Sequence, residues 1–458
     1  MHIHWPLSFH TRSVQPGITM LQRVRIQGFK SLADVEVNLQ QLVVLCGPNA
    51  SGKSNFLDAL QLLSRIATGR TLKEAFEPPY RGSALESFQI GDEGLEGLVR
   101  KDRLMFSIKA DLEISDSVAD EVDRQIAEMR HRSDNPSEGQ ADKPPSRVRE
   151  RLLRYTIEVE MHPRTGVVRV ADESLVALNR NGTPSKSRRP FFERVGQRLH
   201  LRREGQAHPT YHDRYLDHSL LSLSLYPPHY PHVAAVQREL SLWMFFYFEP
   251  RERMRAANPV KEVKHIGLMG EDLAAFLNSL KCASPKQFDS VERALKMLVP
   301  NIDGIEVEVT GLGEVELRLK ERGVAIPASV VSEGTLRLLG LLSLIGVGEQ
   351  PCLIGFEEPE NGVHPRRMEL IAEFLHSRAR SGKTQYIVTT HSPRLADQLD
   401  DGNLYFVKRN GQQTRIDPFR TWGPLGRRED VESGFAGQGS DLPVSERMLR
   451  GDFGGLYT

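Results

Sequence analysis

An eight-residue segment, GPNASGKS at positions 47–54, constrains the fold of this chain more than any other feature. It fits the pattern GxxxxGK[ST], with the apolar run LVVLC before it and the helical spacing of NFLDALQLLSRI after it. Glycines let such a backbone curl until its N–H groups point at phosphate oxygens, and the N-terminus of the next helix adds partial positive charge. A glycine-rich turn without a ligand is the alternative, but the flanking strand and helix favour a nucleotide site. The predicted nucleotide-binding residues are Gly47, Pro48, Asn49, Ala50, Ser51, Gly52, Lys53, Ser54 and Asn55.

A pair of carboxylates follows a second apolar run, in CLIGFEEPENGVHP. Glu357 and Glu358 come at the carboxyl end of this predicted strand, where ligands bind in open α/β sheets. Glu357 is expected to hold the water shell of Mg²⁺ together with Ser54, and Glu358 to polarise the water that attacks ATP. The alternative is that the pair only caps a helix.

A third apolar run, QYIVTT, ends at His391, one predicted helix after the carboxylates. A neutral imidazole at this place would contact the γ-phosphate and the attacking water, and so would report the state of the nucleotide. A lone histidine is usually a core or surface residue, so this prediction depends on the position of His391 after Glu358. Lys53 is expected to reach the β- and γ-phosphates. The predicted catalytic residues are Glu358, His391 and Lys53.

Strand and helix patterns alternate at both ends of the chain, which predicts an α/β fold with a mainly parallel core sheet. Alternation with period two in residues 104–114 and 153–161, with a turn at 162–166, predicts an antiparallel sheet beside it. Strand patterns with the same alternation return from residue 305. We therefore expect one α/β domain divided by an insertion, and not three independent domains.

The predicted organisation has five parts. The first 19 residues are expected to be an extension, or to precede the true start at Met20, where a clean strand pattern begins. Residues 132–147 have the composition of a mobile loop. The parts are an N-terminal extension (1–19), the N-terminal part of the head (20–180), an inserted lid that is first basic, then rich in His and Tyr, then helical (181–300), the C-terminal part of the head (301–420) and a tail (421–458).

Together these motifs resemble the ABC-type ATPase heads of the SMC/RecF group, and most of all the OLD-like and RecF-like ATPases of bacteria. RIQGFKSL is similar to the family's first strand and turn, EEPENGVHP to its fused Walker B motif and D-loop, and TTHSP to its switch histidine. The resemblance covers roughly residues 20–110 and 240–420. It implies a P-loop NTPase of ABC-ATPase type, with a mixed core sheet, an antiparallel β-subdomain and an inserted, mostly helical lid.

The resemblance also implies residues that the motifs alone do not. VVSEGTLRLLGLL stands where the family carries its signature motif, and SEGT in place of the SGGQ of transporters favours the RecF/OLD-like branch. Ser332 and Gly334 would contact ATP held by a second copy of the chain. The implied signature residues are Ser332, Glu333, Gly334 and Thr335.

Two further assignments come from the same resemblance. Asn361 and His364 would belong to the D-loop, and Gln89 is a candidate for the family's glutamine near Mg²⁺. About 280 residues separate Lys53 from Ser332, and no heptad pattern fills them. The gap is therefore expected to hold the antiparallel sheet and a compact lid, instead of the long coiled coils of SMC proteins.

Composition bounds the partners. The chain has 458 residues with 60 Lys and Arg against 60 Asp and Glu, which excludes a polybasic coat for nucleic acid but not a local basic surface. Between Arg180 and Arg214 there are nine Lys and Arg against three Asp and Glu, so this segment is the candidate for contact with DNA, the alternative being a solvated face. The six histidines at positions 200–232 are a weak candidate for Zn²⁺, since no Cys or carboxylate is at ligand spacing.

The three cysteines, Cys46, Cys282 and Cys352, show no disulfide or metal spacing, and no signal peptide or membrane span is visible, so a cytoplasmic location is expected.

The sequence thus predicts an ATP- and Mg²⁺-dependent ATPase whose heads pair when ATP binds. The resemblance implies a role in DNA repair or in defence against phage and plasmids, with double-stranded DNA and a separately encoded nuclease or other effector as partners. Only 67 residues without a DxD motif follow His391, so an intrinsic Toprim nuclease is not expected. The rival predictions are a DNA-binding scaffold that uses ATP only to assemble, and an ATPase of transporter type.

Overall fold

A computed structural model gives the fold of the chain and describes residues 20–131, 147–204, 206, 208–213, 215–344, 350–419 and 443–449. The strands are β1 (Leu21–Phe29), β2 (Leu32–Asn38), β3 (Leu42–Cys46), β4 (Leu104–Glu113), β5 (Leu152–His162), β6 (Val167–Ala177), β7 (Phe192–Val195), β8 (Arg198–Arg202), β9 (Pro209–Asp213), β10 (Trp243–Phe246), β11 (Asn258–Pro259), β12 (Ile302–Val309), β13 (Glu314–Glu321), β14 (Val324–Pro327), β15 (Leu353–Glu357), β16 (Gln385–Thr390), β17 (Leu404–Asn410) and β18 (Gln413–Pro418). The helices are α1 (Lys53–Thr68), α2 (Leu72–Ala75), α3 (Gly94–Arg100), α4 (Asp116–His131), α5 (Pro231–Ser241), α6 (Leu273–Ala283), α7 (Pro285–Leu298), α8 (Glu333–Leu342), α9 (Met368–Arg380), α10 (Pro393–Ala396) and α11 (Val444–Leu449).

A six-stranded sheet in the order β10-β15-β16-β3-β17-β18 forms the centre of the molecule. Its strands are parallel from β10 to β17, and only β18 is antiparallel to its neighbour. Strand β3 is buried on both faces, as expected for a parallel sheet covered on both sides. Val43 and Leu45 pack into one hydrophobic core, while Leu42, Val44 and Cys46 pack into a second core on the other face. The predicted mixed core sheet is confirmed.

An eight-stranded antiparallel sheet in the order β2-β1-β4-β5-β6-β7-β8-β9 lies beside the central sheet and shares the first core with it. Helix α1 contributes half of its residues to this core, including Phe56, Leu60 and Leu63. Some of its polar residues are buried too, and α5 supplies part of the cover. The contact between them includes a hydrogen bond from Ser64 Oγ to the carbonyl oxygen of Leu240 at 2.7 Å.

The segment predicted as a mostly helical lid, residues 181–300, divides among several parts of the fold. Its first half extends the antiparallel sheet, because β7 pairs with β6 and is followed by β8 and β9. Phe192, Leu199 and Leu201 alternate with exposed positions, so this half has the period of a strand and buries its apolar face in the first core. Strand β10 then pairs with β15 in the central sheet, and the helices α5, α6 and α7 account for the helical part.

A third sheet, β11-β13-β12 with β14 also paired to β13, packs against helices α6 and α7. Together with α8 and α9 these elements form the second hydrophobic core on the opposite face of the central sheet. The third sheet confirms the strands predicted after residue 305.

Some predictions lie outside the described residues: the N-terminal extension (1–19), nearly all of the loop at 132–147, and most of the tail (421–458). Within the part of the chain that the structure describes, no helix is both long and apolar enough to cross a membrane.

A buried carboxylate joins the antiparallel sheet to the segment that follows β9. Glu173 on β6 is 1% exposed and accepts hydrogen bonds from Tyr155 Oη at 2.7 Å, from Ser219 Oγ at 2.5 Å and from the amide of Leu220 at 2.8 Å. Burial raises the pKa of Glu173, while these donors oppose the increase. The three donors therefore make its burial tolerable, and Glu173 in turn satisfies them.

We expect Glu173→Ala to lower the free energy of unfolding by about 3 kcal/mol, because each buried donor left without an acceptor costs about 1–3 kcal/mol. Urea denaturation followed by circular dichroism measures the change. The control is Glu96→Ala, since the Glu96 side chain is 86% exposed. Equal urea midpoints for the two variants would contradict this account of Glu173.

Candidate functional site

The loop between β3 and α1 contains two residues with unusual backbone conformations. Ala50 and Gly52 both have positive φ angles, 62° and 104°. A β-carbon at Gly52 would lie 2.0 Å from Thr414 Oγ1, and one at Gly47 would lie 2.1 Å from the carbonyl oxygen of Val407. Both glycines are therefore required by close packing against the β17–β18 hairpin, and Gly52 also by its φ angle.

A small polar network holds this loop from two sides. Thr414 Oγ1 on β18 donates to the carbonyl oxygen of Ser51 at 2.8 Å and lies 2.7 Å from Ser31 Oγ, in the turn between β1 and β2. The side-chain amide of Asn55 donates to Ser31 Oγ at 2.8 Å. The backbone amide of Thr414 donates to the Ser31 carbonyl oxygen at 2.8 Å. The predicted binding residue Asn55 thus contacts the FKSL turn. Thr414 was not predicted, since no local pattern marks it.

Lys53 is buried, with 5% of its surface exposed, and its ammonium group lies over the loop. It donates to the carbonyl oxygens of Gly47 at 2.8 Å and Pro48 at 2.9 Å. Burial lowers the pKa of Lys53, and the charge of Glu358 acts in the opposite direction. Ser54 follows in the first turn of α1 and is half-buried.

Three neighbouring parallel strands place Glu358 and His391 at the same edge of the central sheet as the loop at 47–54. β3, β16 and β15 are adjacent, with Cys46 paired to Thr390 and Thr389 paired to Glu357. Their carboxyl ends therefore lie side by side, and Glu358 and His391 follow directly. The backbone of Glu358 has a positive φ of 48° while its amide donates to the Thr389 carbonyl at 2.9 Å. Such a backbone is uncommon for a non-glycine residue and marks a constrained position.

The side chains of Glu358 and His391 meet at this edge. His391 Nδ1 lies 3.0 Å from Glu358 Oε1, and the two side chains are 41% and 30% exposed. The pair is thus in contact and still open to water. Arrangements of a carboxylate with an imidazole can orient a water molecule and accept its proton.

Glu357 has a partner that sequence reasoning missed. Arg81 donates to Glu357 Oε1 at 2.7 Å and to Oε2 at 3.4 Å, and its NH2 group also donates to Asp58 Oδ1 at 2.8 Å. Lys30 Nζ donates to the other oxygen of Asp58 at 2.7 Å. Asp58 is an acidic residue on the buried face of α1, and a buried carboxylate needs a cation as its partner. The sequence pattern therefore predicts a partner for Asp58 but does not identify it.

A second missed residue is Glu360, which is 4% exposed. Thr390 Oγ1 donates to Glu360 Oε1, and the amide of Ser392 donates to Thr390 Oγ1 at 3.0 Å. Burial raises the pKa of Glu360, and its Oε2 has no hydrogen-bond partner among the described residues. Glu360 therefore ties the loop after β15 to the end of β16, next to His391.

The implied signature residues lie at the start of α8. Ser332 caps the helix, since its Oγ accepts from the Thr335 amide at 3.2 Å and lies 2.7 Å from Thr335 Oγ1. A β-carbon on Gly334 would lie 2.1 Å from the carbonyl oxygen of Gly362 in the implied D-loop. Glu333 accepts from Arg251 Nε at 2.7 Å. The signature helix and the D-loop of one chain are thus in direct backbone contact.

The D-loop residues themselves face solvent. Asn361 is exposed, with its amide donating to the Glu358 carbonyl at 3.1 Å. His364 is also exposed, and its Nδ1 accepts from the Arg366 amide at 3.2 Å.

Gln89 has no described contact with Ser54 or Glu357, the predicted metal ligands it was grouped with. Its amide donates to the Gly28 carbonyl at 2.9 Å, near the end of β1. It lines a cavity of about 270 Å³ together with Phe88, Lys101 and Arg103. The contacts described for Glu357 involve Arg81, so the structure does not bring Gln89 together with it.

The histidine-rich segment has structural contacts. His232 is 1% exposed, stacks on Phe191, accepts from the Glu150 amide through Nε2 and lies 2.8 Å from Glu204 through Nδ1. Among the described residues, no group of three or more His, Cys, Asp or Glu side chains could hold a metal ion. The segment thus gives no support to a zinc site.

The basic segment is partly neutralised by acidic neighbours. Arg214 lies outside the described residues. Three of the other arginines form ion pairs: Arg188 with Glu204, Arg194 with Asp172 and Arg202 with Glu193. The remaining described Lys and Arg leave the segment basic, so DNA contact and a solvated face both stay open.

The residues present fit a triphosphate and a hard divalent cation. The loop offers backbone amides, an ammonium group and the N-terminus of α1, as phosphate binding requires. Ser51 Oγ is buried without a partner in the described part of the chain, so the loop retains a free polar group. Ser54 and Glu357 supply oxygen donors, which Mg²⁺ prefers.

Comparisons with known proteins agree with this geometry. Residues 220–397 match the family model described as an AAA domain, putative AbiEii toxin, Type IV TA system. Residues 20–132 match the model described as an AAA ATPase domain. No curated protein sequence matches the chain.

Solved structures similar to the chain include three SMC heads. The Smc head bound to the C-winged helix domain of ScpA has 10% identity and a TM-score of 0.47, with 87% of this chain and 97% of that chain covered. The SMC head domain from Thermotoga maritima has 14% identity and a TM-score of 0.37, covering 87% and 98%. The Smc head with an extended coiled coil, bound to the C-terminal domain of ScpA derived from Pyrococcus furiosus, has 11% identity and a TM-score of 0.43, covering 87% and 95%.

The P-loop at the end of β3, the motifs at the ends of β15 and β16 and the two matching ATPase models define a P-loop ATPase with an α/β fold. The chain is an ATPase.

We expect Gly334→Ala to lower the free energy of unfolding by about 1–3 kcal/mol, because its β-carbon would overlap a backbone atom that cannot move alone. ATP turnover should fall as well, since α8 and the D-loop must separate. Thermal unfolding and a phosphate-release assay measure the two effects. The matched control is Gly311→Ala, where a β-carbon meets nothing within 4 Å. If both variants match the wild type in thermal unfolding and in phosphate release, close packing of Gly334 on Gly362 is not required for stability or turnover.

Proposed function

We propose that this chain is an ATP-hydrolysing switch, in which two heads pair around two molecules of ATP. The observation that supports the proposal is the meeting of Lys53, Glu358 and His391 at one edge of three adjacent parallel strands. Phosphoryl transfer to water needs positioning and charge stabilisation more than covalent chemistry, and these residue types supply both.

In this proposal the residues of one head divide the work. The loop at 47–54 holds the phosphates through its backbone amides, and Lys53 exchanges its two carbonyl contacts for the β- and γ-phosphates. Glu358 orients the water and accepts its proton as the bond from the γ-phosphorus to the bridging oxygen breaks. His391, 3.0 Å from Glu358, holds that carboxylate and senses the γ-phosphate. ADP and inorganic phosphate leave as products.

Ser54 and Glu357 are the residues that would hold Mg²⁺. When bound, Mg²⁺ neutralises charge on the β- and γ-phosphate oxygens. Gln89 was grouped with them by resemblance, but its described backbone contact is with Gly28, so we assign it no role toward Mg²⁺.

The partner head completes the site in this proposal. Ser332 at the N-terminus of α8 is exposed, and a helix N-terminus attracts phosphate. Ser332 and Gly334 of one copy would contact the ATP held by the other copy. The exposed D-loop side chains, Asn361 and His364, would meet the partner at the same interface. ATP thus favours the pair, and hydrolysis separates it.

The biological output that we propose is DNA repair or defence against phage and plasmids, exerted in the cytoplasm through a separately encoded effector. The resemblance to the OLD-like and RecF-like ATPases supports this output, and the description of the matching model names a putative AbiEii toxin of a toxin–antitoxin system. Double-stranded DNA is the proposed trigger. Because three arginines of the basic segment are paired with acids, DNA contact there would use its other cations, such as Arg180, Lys186 and Arg189.

We expect Glu358→Gln to reduce ATP turnover by about 100-fold or more, as loss of a general base does, while ATP binding is retained. The variant should therefore accumulate as an ATP-bound dimer. Size-exclusion chromatography with light scattering, run with and without ATP and Mg²⁺, measures this.

Lys53→Ala is the control, since it should lose nucleotide binding and remain a monomer with ATP. A Glu358→Gln protein that stays monomeric with bound ATP would rule out the paired heads. Unchanged turnover in Lys53→Ala would overturn the assignment of the nucleotide site.

One assay separates the switch from a scaffold that uses ATP only to assemble. ATP turnover is measured with and without double-stranded DNA, using the Glu358→Gln protein as the blank. A DNA-stimulated rate supports the switch. Assembly on DNA without any hydrolysis supports the scaffold.

A further inference from the structure

The side chain of Arg81 bridges two carboxylates of different elements. Its NH2 group lies 2.7 Å from Glu357 Oε1, at the end of β15, and 2.8 Å from Asp58 Oδ1, on α1. Its NH1 group lies 3.4 Å from Glu357 Oε2, so the guanidinium faces both oxygens of Glu357. These contacts raise the pKa of Arg81 and keep it charged, against the effect of its own burial.

The two acids depend on Arg81 to different degrees. Asp58 has a second cation, because Lys30 Nζ lies 2.7 Å from its Oδ2, and both side chains are nearly buried, at 13% and 5% exposure. Glu357 has no other ion-pair partner among the described residues. If Arg81 moved away, Asp58 would remain paired and Glu357 would be left with a free carboxylate.

Arg81 is also the most exposed member of this group. Its side chain is 44% exposed, whereas that of Glu357 is 16% exposed and fixed at a strand end. The guanidinium rests on the Tyr247 ring, with 5.9 Å from its central carbon to the ring centroid. It therefore has a surface on which to rest when it is not bonded to Glu357.

We propose that Arg81 and Mg²⁺ compete for the carboxylate of Glu357, so that Arg81 is a positioning residue that sets how much Mg²⁺ the site requires. The inference depends on the proposed function in one respect, the use of Glu357 toward Mg²⁺. A guanidinium and a divalent cation repel each other and prefer the same oxygens, so both do not occupy this carboxylate together. Arg81 keeps Glu357 paired and oriented, and Mg²⁺ binding with nucleotide releases Arg81 toward Tyr247 and solvent.

The experiment titrates Mg²⁺ into the full chain at a fixed concentration of a fluorescent, non-hydrolysable ATP analogue. In Arg81→Ala and Arg81→Gln, we expect the half-saturating Mg²⁺ concentration to fall about fivefold, the scale of a partly exposed ion pair. Arg81→Lys keeps the charge and should remain near the wild type. The matched control is Arg124→Ala, which removes an exposed ion pair with Glu128 on α4 and should change nothing.

A second measurement uses Mg²⁺ alone. Because Arg81→Gln leaves Glu357 without a cation, Mg²⁺ should raise the melting temperature of this variant more than that of the wild type. Equal shifts, or a half-saturating Mg²⁺ concentration in Arg81→Ala and Arg81→Gln that matches or exceeds the wild-type value, would overturn the competition. Should Arg81→Ala fail to fold, Arg81→Gln and Arg81→Lys still decide the question.

The two levels of the proposal fail in different ways. If the wild type itself binds no nucleotide in the presence of Mg²⁺, the proposed function is wrong. If the wild type shows Mg²⁺-dependent binding and the Arg81 variants share its Mg²⁺ requirement, only the role of Arg81 is wrong.

Discussion

The burial of helix α1 between two sheets is the constraint on which the rest of this head depends. The helix contributes to a core that includes residues of the central sheet and of the eight-stranded sheet, and twelve of its sixteen residues are buried. A helix so covered has little freedom to shift or rotate, because protein interiors are packed to the density of crystals. Its N-terminus, where Lys53 and Ser54 lie, is therefore fixed relative to the ends of β15 and β16.

A second set of contacts links the signature helix α8 and the D-loop to β16. The signature helix packs on the D-loop backbone at Gly334 and Gly362, and the D-loop is tied to β16 through Glu360 and Thr390. A contiguous chain of contacts thus leads from the surface of α8 to His391. Such a chain can transmit a displacement, since packed elements move between discrete positions and do not deform smoothly.

Much of the fold and of the site could be predicted, and the parts that could not share a physical reason. The loop at 47–54, Glu358 and His391 are specified by short local patterns beside apolar strands. Arg81 is recognisable only through its partners Asp58 and Glu357, and the second of these is 276 residues away. Glu360 looks like any surface acid until Thr390 covers it. Strands β7 to β9 are short, and their weak alternation lies among His, Pro and Arg, so their period did not stand out.

The contacts of Thr414 have a consequence for how the protein is made. Thr414 bonds to Ser51, 363 residues earlier in the chain, and to Ser31, in the first hairpin. A ribosome adds residues from the N-terminus at about 5–20 per second, so the loop waits tens of seconds for this partner. During that interval the loop lacks its contact with β18. The strand of the central sheet that is made last therefore completes the polar network around the loop.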